Sequence, residues 1–165
     1  MAWPRSRRIR RTGPDRYAVQ LPAEEQALLV DQTAQLRALL EDTTDDPSLR
    51  RLFPTAYHDE PDRDVEYQLL ARDELLARRL AALEAMAATA GERQLDTAGL
   101  TAWMGSVNDL RLVIGTNLDV SEEDGPFDPD APDASARAVY GYLTALLDEV
   151  VQALAHGLGD DVPSA

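Results

Sequence analysis

The sequence predicts a mainly α protein, an antiparallel bundle of about four helices with an N-terminal β-hairpin. Three observations carry that prediction. Four long segments repeat apolar residues at spacings of three and four, the period of one helix face. One short segment alternates instead, with Tyr17, Val19 and Leu21 following a Thr12-Gly13-Pro14-Asp15 turn. Glycine, proline and acidic clusters punctuate the gaps, and several gaps are short enough to fold consecutive helices back on one another.

The hairpin is expected over residues 5–21, with Arg5 to Arg11 as one arm and Arg16 to Leu21 as the other. A two-stranded hairpin is marginal in water, so it must lie on the helices. Arg7, Arg8, Arg10 and Arg11 are candidate contacts to a protein partner or to nucleic acid. The competing reading is a solvated edge strand, charged against edge-to-edge pairing.

The first helix spans about 23–41. Pro22 precedes it, Glu24 and Glu25 sit in its first turn as the macrodipole favours, and Leu28, Leu29, Leu36, Leu39 and Leu40 form its apolar face. In the connector, Leu49, Leu52 and Phe53 suggest a short helical turn packed under the bundle. His58 beside Asp59 and Glu60 invites a metal-site reading, but one histidine in an acidic loop is ordinarily solvated, because metal sites need several convergent ligands. The second helix is expected over about 62–90, capped by Asp62 or Asp64. Val65, Leu69, Leu76, Leu80, Leu83 and Ala87 line one side, Tyr67 and Leu70 broaden it, and Gly91 ends it.

The third helix, about 97–115, is the most apolar and is expected at the centre. Leu100, Trp103, Val107, Leu110 and Ile114 share a face, and Asp96 or Thr97 is the N-cap. Gly105 implies close packing by a neighbour, Gly115 an end, and Asn117 a left-handed turn, with 117–120 extended. An acidic loop with six acids and three prolines follows at 121–133, without the spacing of a calcium loop. It is expected to be mobile, to mimic nucleic acid, or to fold back over the basic hairpin. The last helix, about 134–156, carries Val139, Leu143, Leu146, Leu147, Val150 and Leu154 on one stripe, flanked by Tyr140 and Tyr142 and ended by Gly157. The whole reads as one helical domain over 1–157 with a disordered tail at 158–165.

The 165 residues carry a net charge of -14 with an uneven distribution. Residues 1–16 hold six Arg against one Asp, and the remainder ten Arg against 29 acids. An acidic body repels nucleic acid and anionic membrane, so only the basic head attracts them. All the cationic side chains apart from two His are Arg, a usage typical of GC-rich genomes such as those of actinobacteria. No apolar run approaches 20 residues, which excludes a transmembrane helix. Ser6-Arg7-Arg8 superficially matches a twin-arginine export signal, but Thr12-Gly13-Pro14-Asp15 stands where an apolar segment should follow. A cytoplasmic location is therefore expected. With no Cys, disulfides, thiolate metal sites and cysteine redox chemistry are excluded within this chain.

No nucleophile elbow, phosphate-binding glycine loop or convergent ligand set is visible. Asn108 and Asp109, at the edge of an apolar face, suit helix–helix hydrogen bonds better than catalysis. Asp73 is a candidate ion-pair partner for Arg111. No enzymatic activity, cofactor or metal is expected, because function is argued from sites and none emerges.

The runs LRRLFPTAYHDEPDRDVEYQLL and WMGSVNDLRLVIGTNLDVSEEDG resemble an actinobacterial family of unknown function, designated 2017, from the hairpin to the last helix. The resemblance implies that Asn108, Asp109 and Arg111 form a structural signature. It implies small proteins without enzymatic activity, one branch of which are oxidative-stress regulators acting with a sigma factor on transcription under control of a cysteine pair. This chain departs from that branch, since it has no cysteine to sense with. The expected function is a regulatory interaction protein with a sigma factor or RNA polymerase as partner. The alternatives are a structural homo-oligomer such as a homodimer, or a weak DNA binder working through the arginine-rich hairpin.

Overall fold

A computed structural model describes residues 7–42, 45–53, 64–121 and 123–159. In chain order these form β1 (Ile9–Gly13), β2 (Arg16–Val19), α1 (Ala23–Asp42), a 3-10 turn (Pro47–Leu49), α2 (Asp64–Thr89), β3 (Gln94–Leu95), α3 (Thr97–Leu118) and α4 (Ala134–Gly159). The mainly α class, the four-helix bundle and the hairpin are as the sequence predicts. His58, Asp62, residues 1–6 and the tail from 160 lie outside the described residues.

The hairpin is a twisted ladder pairing Ile9 with Val19 and Arg11 with Tyr17, with an irregularity between Arg11 and Gly13. Its inner side chains, Ile9, Tyr17 and Val19, are each only 2% exposed, so the strands rest on the helices as their marginal stability requires. A third strand that the sequence did not announce completes the sheet. Gln94 and Leu95 pair with Ala18 and Tyr17, and Val19 N–H donates to Arg93 O at 2.9 Å, giving the order β1-β2-β3. The turn of the hairpin is tied to α3: Asp15 Oδ1 accepts from Thr97 N–H at 2.7 Å, which holds the Asp15 carboxyl below the usual carboxylate range.

The central helix is α3, packed against α2 and α4 and touching α1. Leu100, Trp103 and Val107 are wholly buried, and Asp96 caps the helix by accepting from Gly99 N–H at 2.7 Å. Trp103 keeps its indole N–H satisfied through Thr89 Oγ1 at 2.8 Å. From α4, Tyr142, Leu143, Leu146 and Val150 close the core, and from α1, Leu29, Leu36 and Leu40. The connector turn also behaves as predicted: Leu49 and Leu52 are fully buried, and Phe53 nearly so.

Several boundaries and packing expectations are corrected. Gly115 does not end α3, which continues to Leu118. A Cβ on Gly115 would lie 2.9 Å from Tyr140 Cε2, so its missing side chain admits that ring instead of a turn. The left-handed residue is Asp119, φ 50°, not Asn117, and Val120 N–H closes back on Gly115 O at 3.1 Å. Residues 117–118 are accordingly helical, not extended. Gly105, expected at a tight approach, has nothing within 4 Å of an added Cβ. Gly157 does not stop α4, which runs on through 158 to Gly159. The acidic loop does not shield the hairpin: Arg137 at the start of α4 holds it, with Nη1 3.3 Å from Asp124 and Nε 2.9 Å from Asp133. The apolar stripe of α2 is buried at Leu83 but not at its start, where Val65 and Leu69 are exposed.

Candidate interaction site

The four hairpin arginines separate into two groups. Arg10 projects from β1 to solvent, Arg7 just ahead of it is exposed, and Arg11 is half-buried. With His156 and Gln152 of α4 they line an open groove of about 680 Å³ between β1 and α4. Among the described residues, Glu149 is the carboxylate in this lining, and it is already engaged by Arg8. The groove is therefore cationic on an acidic body, and it presents guanidinium forks, the geometry that carboxylates and phosphates fit.

Arg8 leaves the candidate contact set. It is 7% exposed and sits at the centre of a buried ion cluster. Its Nε and Nη2 donate to Glu25 at 2.8 and 3.2 Å, and its Nη1 donates to Glu149 at 3.1 Å. Glu149 also accepts from the backbone N–H of Arg8 at 2.6 Å and of Ile9 at 3.3 Å. Tyr142 donates its hydroxyl to Glu25 at 2.9 Å, and the Arg8 guanidinium lies 5.4 Å from the centre of the Tyr142 ring. The hydrogen bond to Glu25 raises the Arg8 pKa against the lowering effect of burial. Burial, then the same Glu25, pushes the Tyr142 hydroxyl far above its ordinary value, so it remains a donor. The cluster joins the first residue pair of the hairpin to α1 and α4 and fixes the wall of the groove. Chemically it is closed, because each charge has an opposite charge within hydrogen-bond reach.

Sequence reasoning missed Glu25, Tyr142 and Glu149. Glu25 stands in the first turn of α1, where the macrodipole favours an acid, and it is also 1% exposed and paired with Arg8.

The signature residues do separate work. Asp109, 4% exposed on α3, is bonded to Arg79 Nη1 of α2, and Arg79 Nη2 donates to Leu52 O at 3.0 Å. Arg72 and Arg79 flank the Phe53 ring at 5.1 and 5.8 Å. This clasp pins the connector turn onto α2 and α3. Burial raises the Asp109 pKa, opposed by the Arg79 hydrogen bond and charge. Arg111 reaches Asn108 Oδ1 at 3.4 Å on its own helix, so the expected Asp73–Arg111 pair is replaced by Asp109–Arg79 as the α2–α3 link. Among the described residues, no three His, Cys, Asp or Glu side chains converge as metal ligands would. No helix among them is long and apolar enough to cross a membrane.

Fold and site together define a small helical domain with a three-stranded sheet packed on it and an arginine-lined groove between β1 and α4. The profile of the family described as domain of unknown function DUF2017 matches residues 6–154, and the chain belongs to that family. It is similar to the oxidative stress regulator AosR of Mycobacterium bovis and of Mycobacterium tuberculosis, at 32% identity over 131 residues, 66% of this chain. The chain spans 58% of the length of those relatives. No solved structure matches.

Proposed function

We propose that this chain is a regulatory interaction protein without catalytic activity, a cytoplasmic transcription-associated adaptor that works with a sigma factor or RNA polymerase. The observation that carries this reading is the cationic groove between β1 and α4, set on a body of opposite charge. The similarity to proteins named oxidative stress regulators supports the regulatory part. The non-enzymatic part is supported by the pairing of the shifted buried groups: Arg8 with Glu25, Tyr142 with Glu25, and Asp109 with Arg79. Groups committed to such pairs hold architecture in place and are not poised to transfer protons. An acidic protein surface fits the groove better than DNA does, since a duplex would bring its phosphates against an acidic body.

The test is a tagged pull-down from native lysate with nuclease treatment, read by mass spectrometry, using the wild type and an Arg7→Ala/Arg10→Ala variant. Enrichment of a sigma factor or polymerase subunit by the wild type, lost in the variant, is the expected result. Recovery of the bait alone, or equal recovery by both proteins, would refute the proposal. The DNA-binding alternative makes a different demand. It requires duplex affinity that falls steeply with salt and disappears in the same variant.

A further inference from the structure

The groove between β1 and α4 has two walls of different electrical character. The β1 side carries Arg7, Arg10 and Arg11, and guanidinium groups hold their charge at any pH a folded protein meets. The α4 side is one helix face, with Glu149, Gln152, Ala153 and His156 at helical spacing. Its two ionisable groups are differently placed. Glu149 is tied to the Arg8 guanidinium and to two backbone N–H groups. His156 is exposed and stands in the last turn of α4, the end of a helix dipole that a cation complements. Two turns of helix, about 10 Å along the axis, separate it from Glu149.

Imidazole is the side chain whose charge ordinarily changes between about pH 5 and 8. Among the described residues that line the groove, His156 is the one of that kind. Thr12, Gly13 and Pro14 at the hairpin turn bring no charge, and Asp15 beside them is committed to the Thr97 N–H. Asp160 and Asp161 follow α4 in sequence and lie outside the described residues. With a neutral imidazole, an acidic segment in the groove is held from β1 alone, and the charge it meets on α4 is the Glu149 carboxylate. With a protonated imidazole, α4 offers a cation of its own, and the segment is held from both walls.

We propose that the groove is gated by pH: protonation of His156 makes its α4 wall attractive to carboxylates, so acidic peptide segments bind more tightly as the solution is acidified through the imidazole range. The proposal rests on the reading of the groove as a site for an acidic protein surface, and it adds the condition under which that surface is held best.

The test is fluorescence anisotropy on the full chain with a short acetylated and amidated Asp/Ser peptide, at one ionic strength and at about pH 5.5 and 8, a window in which the aspartates of the probe stay ionised. The wild type binds the probe about two- to fivefold more tightly at the lower pH, the weight of one exposed ion pair. His156→Gln, an exposed change that keeps a polar side chain, removes the difference, and His156→Arg gives the tighter binding at both values. By linkage, the probe raises the midpoint of the His156 imidazole, read by NMR, by the logarithm of the same factor. A wild-type ratio near one would overturn the pH gate, as would a ratio that persists in His156→Gln, and either result leaves the acidic-partner reading standing. Absence of binding at both pH values, in the wild type and in His156→Arg alike, would remove that reading and the gate together.

Discussion

Substituting Arg8→Ala tests the claim that the hairpin is held by a buried ion cluster and not merely charged for solubility. The guanidinium is 7% exposed and its partner Glu25 1%. Truncation leaves the Glu25 carboxylate in the interior with the Tyr142 hydroxyl at 2.9 Å. Removing one partner of a buried pair costs about 3–5 kcal/mol, chiefly because the other charge stays behind unneutralised. For a chain of this size each kcal/mol moves the melting temperature by about 2–4 °C. The expected fall is therefore about 10 °C by calorimetry, with a matching loss in the urea midpoint. The fall should vary little with ionic strength, since the pair is shielded from counterions. Arg8→Met combined with Glu25→Leu removes both charges. It should recover most of the loss, short of the wild type by roughly 1–2 kcal/mol because the Tyr142 hydroxyl loses its acceptor. An Arg8→Ala protein melting within about 2 °C of the wild type would refute the reasoning. So would a double variant whose loss equals the sum of the two single losses, because that would show the two side chains to be energetically independent.

Further consequences follow from individual contacts. Gly105→Ala places a methyl in open space within a helix and should stabilise by about 0.5–1 kcal/mol, whereas Gly115→Ala meets Tyr140 at 2.9 Å and should yield none of that gain; paired urea titrations separate the two. Thr89→Val removes the acceptor of the buried Trp103 indole N–H and should cost about 1–3 kcal/mol in the same assay. Asp109 has a folded pKa raised by burial, so its ionisation opposes folding. Its contribution is most favourable below the ordinary carboxylate value and is lost as pH rises through the folded value. The wild type should therefore gain stability relative to Asp109→Asn as the solution is acidified through that window, and a pH-independent difference would remove this account. Asp15, Asp46 and Asp124 have lowered values, through Thr97, Ser48, and Ser121 with Arg137, respectively. Their contribution has the opposite sign, present above the ordinary value and lost as pH falls through the folded one.

The helices were legible because each repeats apolar residues over many turns, and the Asp96 cap because its side chain acts within three residues. The third strand was not legible. Gln94 and Leu95 are two residues without alternation, and they are a strand only because β2 offers an unpaired edge beside them. Gly115 carried a true signal with two physical meanings, a chain stop or a place for a ring, and only the position of Tyr140 decides between them. The same ambiguity governed Arg8. Its neighbour Ile9 opens β1, so strand alternation does not reach Arg8, and its partners lie 17 and 141 positions away in sequence. No local pattern encodes such a meeting. The separation of Arg8 from Arg7, Arg10 and Arg11 therefore had to come from the folded arrangement.

That separation changes what the arginine-rich segment means. A run of four arginines reads as one electrostatic feature, but the folded chain uses one as an internal anchor and leaves the others on the groove. The anchor constrains how the groove can respond. Glu149 binds the Arg8 guanidinium and two backbone N–H groups from one side while its residue lines the groove on the other. An acidic ligand entering between Arg10 and His156 would approach that carboxylate. A ligand that sits toward Arg7, Arg10 and Arg11 avoids it. If the groove takes an acidic ligand as proposed, it selects by the placement of negative charge as well as by its sign, and no cysteine of this chain takes part. Glu149→Gln provides the check. Its single amide oxygen can still accept from both N–H groups while the Arg8 Nη1 bond is lost, so the variant should melt several degrees lower yet, with the repulsion gone, bind an acidic peptide severalfold tighter. Weaker binding would mean that Glu149 works through the position of the hairpin and not through its charge.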